Sequence, residues 1–224
     1  MKRKKLYNNL IIAVLALAMT VSSLTVKAQT SEVCEVFSDV KHDSWYEESV
    51  QYVYDNGIMS GSNGAFKPSD NITRAQLVTT LYRIAGEPEV TDTSALTDFS
   101  DLAEGKYYTD AVCWAYAEGI TTGSSGKFNP TDNLTRQQMI VFLHRYAIMS
   151  GANPYGGIEG VTIVYNASDY AITSLLWAVG NGFIVRNEFT FPNGDVVIDT
   201  NPTGYTTRAQ VATILMRFCS EYGV

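Results

Sequence analysis

With 224 residues, 23 acidic against 16 basic side chains and a formal net charge of −7, the chain has room for one or two domains and carries an acidic surface. That balance excludes nucleic acid as a partner, because phosphate binding draws on clustered Lys and Arg. Its three cysteines, Cys34, Cys113 and Cys219, are odd in number and widely spaced, which gives neither a disulfide framework nor metal-ligand spacing, and no metal or cofactor is expected.

Lys2 to Lys5 form a basic start, Leu10 to Leu17 an apolar stretch, and Val26-Lys27-Ala28 a cleavage site. Residues 1–28 therefore read as a secretory signal peptide, too short in its apolar part for a membrane span. Their removal takes away five basic residues and no acid, leaving 11 basic against 23 acidic side chains, a charge of −12. The expectation is an exported chain beginning near Gln29, with a retained N-terminal anchor as the alternative.

The first unit, residues 36–88, opens on Phe37-Ser38-Asp39-Val40. Ser44-Trp45-Tyr46-Glu47 has the spacing of a helix capping box, and Tyr46, Val50, Val53 and Tyr54 follow at helical intervals. Gly57 suits the left-handed position after a helix, with Ile58 as its apolar contact. Glycine-rich Ser60 to Gly64 turns the chain, and Phe66-Lys67-Pro68 and Asp70 lead to Thr73-Arg74-Ala75-Gln76, a second capping box. Leu77, Val78, Leu81, Tyr82 and Ile84 mark the buried face of the next helix, which Gly86 and Pro88 end.

The same design returns in residues 98–150 at a constant offset of 62, with Phe99, Asp101, Tyr107, Gly119, Gly123, Phe128, Pro130 and Thr135-Arg136-Gln137-Gln138. A divergent third unit, residues 161–222, places Tyr170 where Trp45 stood and Gly182-Phe183 where Gly57-Ile58 stood, at an offset of 125. It ends on Thr207-Arg208-Ala209-Gln210 at an offset of 134. Nine residues are thus added between its helices, expected around 191–205, and Arg186 replaces the glycine of Gly61 and Gly123. The connections run from Gly86 to Thr97 and from Ser150 to Gly160. Capping accounts for the threonines and glutamines; an arginine in the first turn opposes the helix dipole, so its threefold return asks for another reason.

These ordered segments, Phe-x-Asp-Val, Gly-Ile-x-x-Gly, Gly-x-Phe-x-Pro and Thr-Arg-Ala-Gln, resemble the S-layer homology (SLH) family, with Gln in place of the family's usual Glu. The resemblance implies a mostly α, pseudo-three-fold domain of helix-loop-helix units joined by short loops. It also implies cell-surface attachment to a secondary cell wall polymer bearing pyruvylated amino sugars, held in grooves between units, with peptidoglycan as the alternative polymer. On that basis Arg74, Arg136 and Arg208 would hold the acid group, since arginine presents a planar bidentate donor. Trp45, Tyr107 and Tyr170 would stack on sugar rings, Asp39 and Asp101 would bind hydroxyls or orient an arginine, and Gly61 and Gly123 would let backbone approach the ligand. The competing readings are arginines paired to carboxylates between units, aromatics in the core, and aspartates as caps or turn residues.

No nucleophile turn, metal helix or phosphate loop is present, and His42 and His144 are the only histidines; His144, beside Leu143 in a helical segment, reads as structural. An enzyme is therefore not expected. A module for self-association or a protein partner, using the third-unit insertion, is the rival. Asp70-Asn71 and Asp132-Asn133 offer oxygen atoms without the spaced set of a calcium loop.

Overall fold

The computed structural model describes residues 32–155, 161–190, 192 and 196–223. The export signal read at residues 1–28 lies outside them, as do Gly160, Phe191 and Gly194. In chain order the elements are α1 (Val33–Val36), α2 (Glu47–Asp55), α3 (Arg74–Ile84), α4 (Ala95–Asp98), α5 (Thr109–Ala117), α6 (Arg136–Met149), β1 (Val161–Val164), a 3₁₀ turn (Asp169–Ala171), α7 (Ile172–Gly180), β2 (Asn187–Thr190), β3 (Val196–Asp199) and α8 (Arg208–Tyr222). The chain is mostly helical, as the repeat pattern requires. None of the described helices is long and apolar enough to cross a membrane.

The three Thr-Arg capping boxes form. Thr73, Thr135 and Thr207 each accept from the glutamine N–H three residues on, and Gln76, Gln138 and Gln210 each accept from the threonine N–H in return. Gly57, Gly119 and Gly182 take left-handed φ values of +68°, +71° and +72° after the first helix of each unit. Ile58, Ile120 and Phe183 are buried just beyond, which is the helix-stop arrangement read from the sequence. The capping box at Ser44 does not form. The cap of α2 is Tyr46, and no side chain caps it. Asp43 turns the chain at φ +58°, so the helix starts at Glu47 itself, whose carboxylate is taken by the Asp43 N–H and the Cys34 thiol.

Helix pairing runs between units. The second helix of each unit packs on the first helix of the next: α3 on α5, α6 on α7, and α8 back on α2. Ser49 and Thr213 exchange a hydroxyl hydrogen bond of 2.9 Å across the closing pair. Each amphipathic helix therefore buries its apolar face against a neighbour's, and one core runs through all three units, from Phe37 and Phe66 through Phe99, Trp114 and Phe128 to Trp177 and Phe218.

The segments just ahead of the second helices meet at the centre of this ring. Ile72 N–H donates to the Thr206 carbonyl, Leu134 N–H to Ile72 and Thr206 N–H to Leu134, at 3.0, 3.0 and 3.2 Å. The next two donors of each helix also cross between units: Arg74 and Ala75 to Asp132 and Pro130, Arg136 and Gln137 to Gly204 and Pro202, Arg208 and Ala209 to Asp70 and Pro68. With the capping threonine taking the third, the exposed donors at the starts of α3, α6 and α8 are satisfied inside the protein.

In the third unit β1 pairs with β3 in parallel and β2 with β3 antiparallel, in the order β1-β3-β2. Residue equivalence resumes at Pro202, whose carbonyl is used as those of Pro68 and Pro130 are. The added residues accordingly lie ahead of Pro202, in β2, β3 and the segment joining them, whereas Tyr205 belongs to the repeated part.

Candidate ligand-binding site

The repeated arginines bridge units. Arg208 is 8% exposed; its Nε donates to the Phe66 carbonyl at 2.7 Å and its Nη2 to Ser60 at 2.8 Å. Its guanidinium lies 4.7 Å from the centre of the Phe66 ring, a cation–π distance. Arg74 repeats the arrangement one unit on, donating from Nε to the Phe128 carbonyl at 2.6 Å and lying 5.0 Å from the rings of both Phe128 and Phe142. Among the described residues none of the three arginines forms an ion pair with a carboxylate.

Asp39 stands behind this contact. Its two carboxylate oxygens accept from the Phe66 and Lys67 N–H groups at 2.8 and 2.7 Å, fixing the turn that presents the Phe66 carbonyl to Arg208. Asp101 does the same for Phe128 and Asn129, both at 2.8 Å. Lys67 and Asn129 have left-handed φ values of +60° and +58°, so each aspartate braces a turn that would otherwise carry strain. A Cβ on Gly61 would overlap the Phe37 ring and the Ala65 carbonyl, and one on Gly123 would overlap the Phe99 ring and the Lys127 carbonyl. Close packing alone thus requires glycine at both positions.

Two grooves result, each drawn from all three units. The first, about 560 Å³, joins the Ser60–Lys67 loop and α3 of unit one to Arg208 of unit three and Tyr107 of unit two. The second, about 500 Å³, joins the Thr121–Ser124 loop and α6 of unit two to Arg74 of unit one and Tyr170 of unit three. Gly61 lines the first and Gly123 the second. Tyr107 and Tyr170 are 68% and 58% exposed.

By the same rotation Arg136 and Trp45 belong to a third position, and neither lines the two grooves above. Trp45 is 66% exposed. Among the described residues the Arg136 Nε is buried with no hydrogen-bond partner, as is the hydroxyl of Thr200, the residue where Phe66 and Phe128 stand in the other units. Val164 occupies the position of Asp39 and Asp101, so the carboxylate brace is replaced by the sheet, where Tyr165 N–H donates to the Ile198 carbonyl at 2.8 Å. The insertion thus supports the turn by backbone pairing, while the Arg136 Nε lacks the carbonyl that the Nε of Arg74 and Arg208 find.

Burial pulls all three guanidinium groups below the ordinary arginine pKa. For Arg74 the nearby charges of Asp132 and Asp101 oppose this, and for Arg208 those of Asp70 and Asp39; Arg136 has burial alone. Since arginine keeps its proton, the consequence is desolvated positive charge with weak compensation, strongest in effect at Arg136. An anion bound there would offset it.

A second set of repeated arginines was not read as site residues. Arg83, Arg145 and Arg217 each sit nine positions after the first set, and their Nη1 atoms donate to the Ile58, Ile120 and Phe183 carbonyls at 3.3, 3.2 and 3.2 Å. Arg83 lines the first groove and Arg145 the second. Their register in the repeat was the available signal. His144 is a satisfied core residue: Nε2 donates to the Pro154 carbonyl at 3.1 Å, which leaves Nδ1 to accept from Ser174 at 3.0 Å. Its ring lies 4.7 Å from that of Trp177.

The S-layer homology domain matches at residues 36–78 and 98–140, the segments that carry the two aspartate braces, both glycine loops and the first two capping boxes. Among similar proteins, an amylopullulanase of Thermoanaerobacterium thermosulfurigenes is 25% identical over 86% of this chain and 10% of its own length. An endoglucanase of Bacillus sp. (strain KSM-635) is 32% identical over 62% of this chain and 15% of its own. The S-layer protein sap of Bacillus anthracis is 26% identical over 64% and 17%. The chain therefore spans a small part of each of these relatives.

Proposed function

We propose that this chain is a non-covalent cell-surface anchor in which three units, residues 36–88, 98–150 and 161–222, bind a secondary cell wall polymer in the grooves between them. The third unit is read as a divergent repeat of the same kind. The observation that carries the reading is a guanidinium in each groove, buried at Arg208 and half-buried at Arg74, without an ion-paired acid among the described residues, set in a cavity large enough for a sugar and flanked by an exposed tyrosine. A carboxylate-bearing sugar, such as a pyruvylated amino sugar, would place its acid against Arg208 or Arg74 and its ring on Tyr107 or Tyr170. Because the first amides of α3, α6 and α8 are already used between units, an anion would draw on side-chain donors, the guanidinium groups first among them. Arg83 and Arg145 add a second cation to each groove.

Matches to proteins as different as an amylopullulanase and an S-layer protein, each over a small fraction of its length, support a role separable from those activities. No catalysis is assigned to this chain. Two grooves on one polymer raise apparent affinity by roughly a hundredfold or more where the repeat spacing allows both to engage.

The test is co-sedimentation of residues 29–224 with purified cell wall before and after acid extraction of its secondary polymer. Loss of binding on extraction is expected, and binding that survives extraction would instead assign the grooves to peptidoglycan. A second reading, a contact surface for protein, is favoured by β2, whose four residues are all exposed and whose outer edge is unpaired among the described residues. Failure to bind either wall preparation would move that strand to the front.

A further inference from the structure

The first unit carries a cluster that the repeat does not need. Cys34 on α1, His42 in the following turn and Glu47 at the start of α2 bring a thiol, an imidazole nitrogen and a carboxylate oxygen within 4.8 Å of one another. Glu47 Oε1 is the meeting point: Cys34 Sγ donates to it at 3.1 Å and His42 Nδ1 lies 3.3 Å away. Ligands at zinc bond lengths in a tetrahedral arrangement stand about 3.3–3.5 Å apart, so little movement would gather these atoms around one ion.

The scaffold holds the three in place from behind. The Val33 N–H donates to Gln51 Oε1 at 2.6 Å, tying α1 to α2. The Asp43 N–H donates to Glu47 Oε2 at 2.6 Å, which leaves Oε1 turned to the other two ligands. An open cleft of about 550 Å³, lined by Glu32, His42, Asp43, Ser44 and Glu48 among others, lies over the cluster. In it the Ser44 hydroxyl is buried with no hydrogen-bond partner among the described residues.

Unit two is an internal control. At an offset of 62 the three positions become Leu96, Glu104 and Thr109, and the Thr109 hydroxyl serves the local turn, donating to Ala103 and accepting from Lys106. The repeat architecture therefore forms without a thiol at the first of these positions, an imidazole at the second or a carboxylate at the third. In unit three the last two positions are Ala167 and Ile172, so the ligand set belongs to unit one.

We propose that Cys34, His42 and Glu47 bind one divalent ion of the zinc class. Thiolate and imidazole select such borderline metals over calcium and magnesium, which prefer all-oxygen sites. Three protein ligands leave a fourth position to water. On binding, the Cys34 thiol proton passes to solvent, and the sulfur–metal bond replaces the hydrogen bond to Glu47. The charge balances, since thiolate and carboxylate together match the ion, while Asp43, Glu48 and Glu32 add attraction at the cleft.

Cobalt(II) is the probe, because a tetrahedral thiolate site gives a sulfur-to-metal charge-transfer band in the near ultraviolet together with visible d–d bands. Titration of the reduced full chain is expected to saturate both at one equivalent, and zinc should displace them. Cys34→Ser should abolish the charge-transfer band. His42→Ala should weaken cobalt binding at least tenfold. Circular dichroism of each variant checks that the helices persist. Absence of the band in the wild-type protein, or its persistence in Cys34→Ser, would overturn the assignment.

Discussion

Arg208 donates through Nε to the carbonyl of Phe66 at 2.7 Å, a bond between residues 142 positions apart. It makes the arginine both a clip between the third and first units and a wall of the groove that they form. The turn it grips is braced by Asp39, so a signature that could be read as one binding set divides into a part facing the groove and a part holding that part in position.

Replacing arginine by methionine should separate the three copies. Arg208→Met removes two hydrogen bonds from a charged, buried group and is expected to lower stability by about 2–4 kcal/mol. Arg136→Met relieves an unpartnered Nε and should leave stability within about 0.5 kcal/mol of wild type or raise it. Urea midpoints measured at matched slope compare the two, and equal losses would contradict the difference in their surroundings.

Asp101→Asn keeps the size of the side chain but turns one of two acceptors into a donor facing an N–H. A loss of about 1.5–3 kcal/mol is expected. The groove containing Arg74 should weaken with it, because the Phe128 carbonyl is no longer held. Denaturation and polymer binding measured on the same variant should move together.

Gly123 has a left-handed φ of +64° and no room for a Cβ. Gly123→Ala therefore meets strain in the backbone and overlap with the Phe99 ring and should destabilise the fold by more than about 1 kcal/mol. Thermal unfolding reads this directly.

Tyr107→Ala and Tyr170→Ala remove rings that are mostly exposed, so stability should stay within about 0.5 kcal/mol of wild type. Wall binding should fall in both, and fall further in the double variant. Unchanged wall binding in the double variant would remove the stacking role.

Burial holds His144 below its ordinary pKa of 6.5, with the Pro154 carbonyl opposing part of the shift. The folded state thus binds this proton less readily than the unfolded chain does. Its contribution to stability is fully present above pH 6.5 and is lost as pH falls through the ordinary value toward the lower folded one. A drop in melting temperature across that window is expected, and it should be smaller in His144→Gln.

What the sequence disclosed was mostly local. The capping boxes at Thr73, Thr135 and Thr207 and the left-handed glycines after α2, α5 and α7 depend on a few adjacent residues, and their spacing is legible. Ser44 shows the limit: the same spacing failed because the chain turned at Asp43 and Glu47 found partners elsewhere. Hydrophobic periodicity marks a buried face without naming what covers it, so the pairing of α3 with α5 or α8 with α2 was invisible. An aspartate serves turns, caps and ligands with the same atoms, and only the amides of Phe66 and Lys67 tell which use Asp39 has. The segment at Val161–Val164 borders a stretch read as a connection, and its strand character depends on β3, more than thirty residues on.

The closure of α8 against α2 sets when the ring of three units can form. The first helix to leave the ribosome that forms part of the ring finds its partner only in the last, and the Ile72 N–H waits for the Thr206 carbonyl. A chain halted after the second unit would expose the apolar face of α2 and leave Ile72 without its acceptor, so shortened products should be open to proteases while the finished ring is not. Closure of the ring is thereby checked by the fold itself, at the junction of α8 with α2.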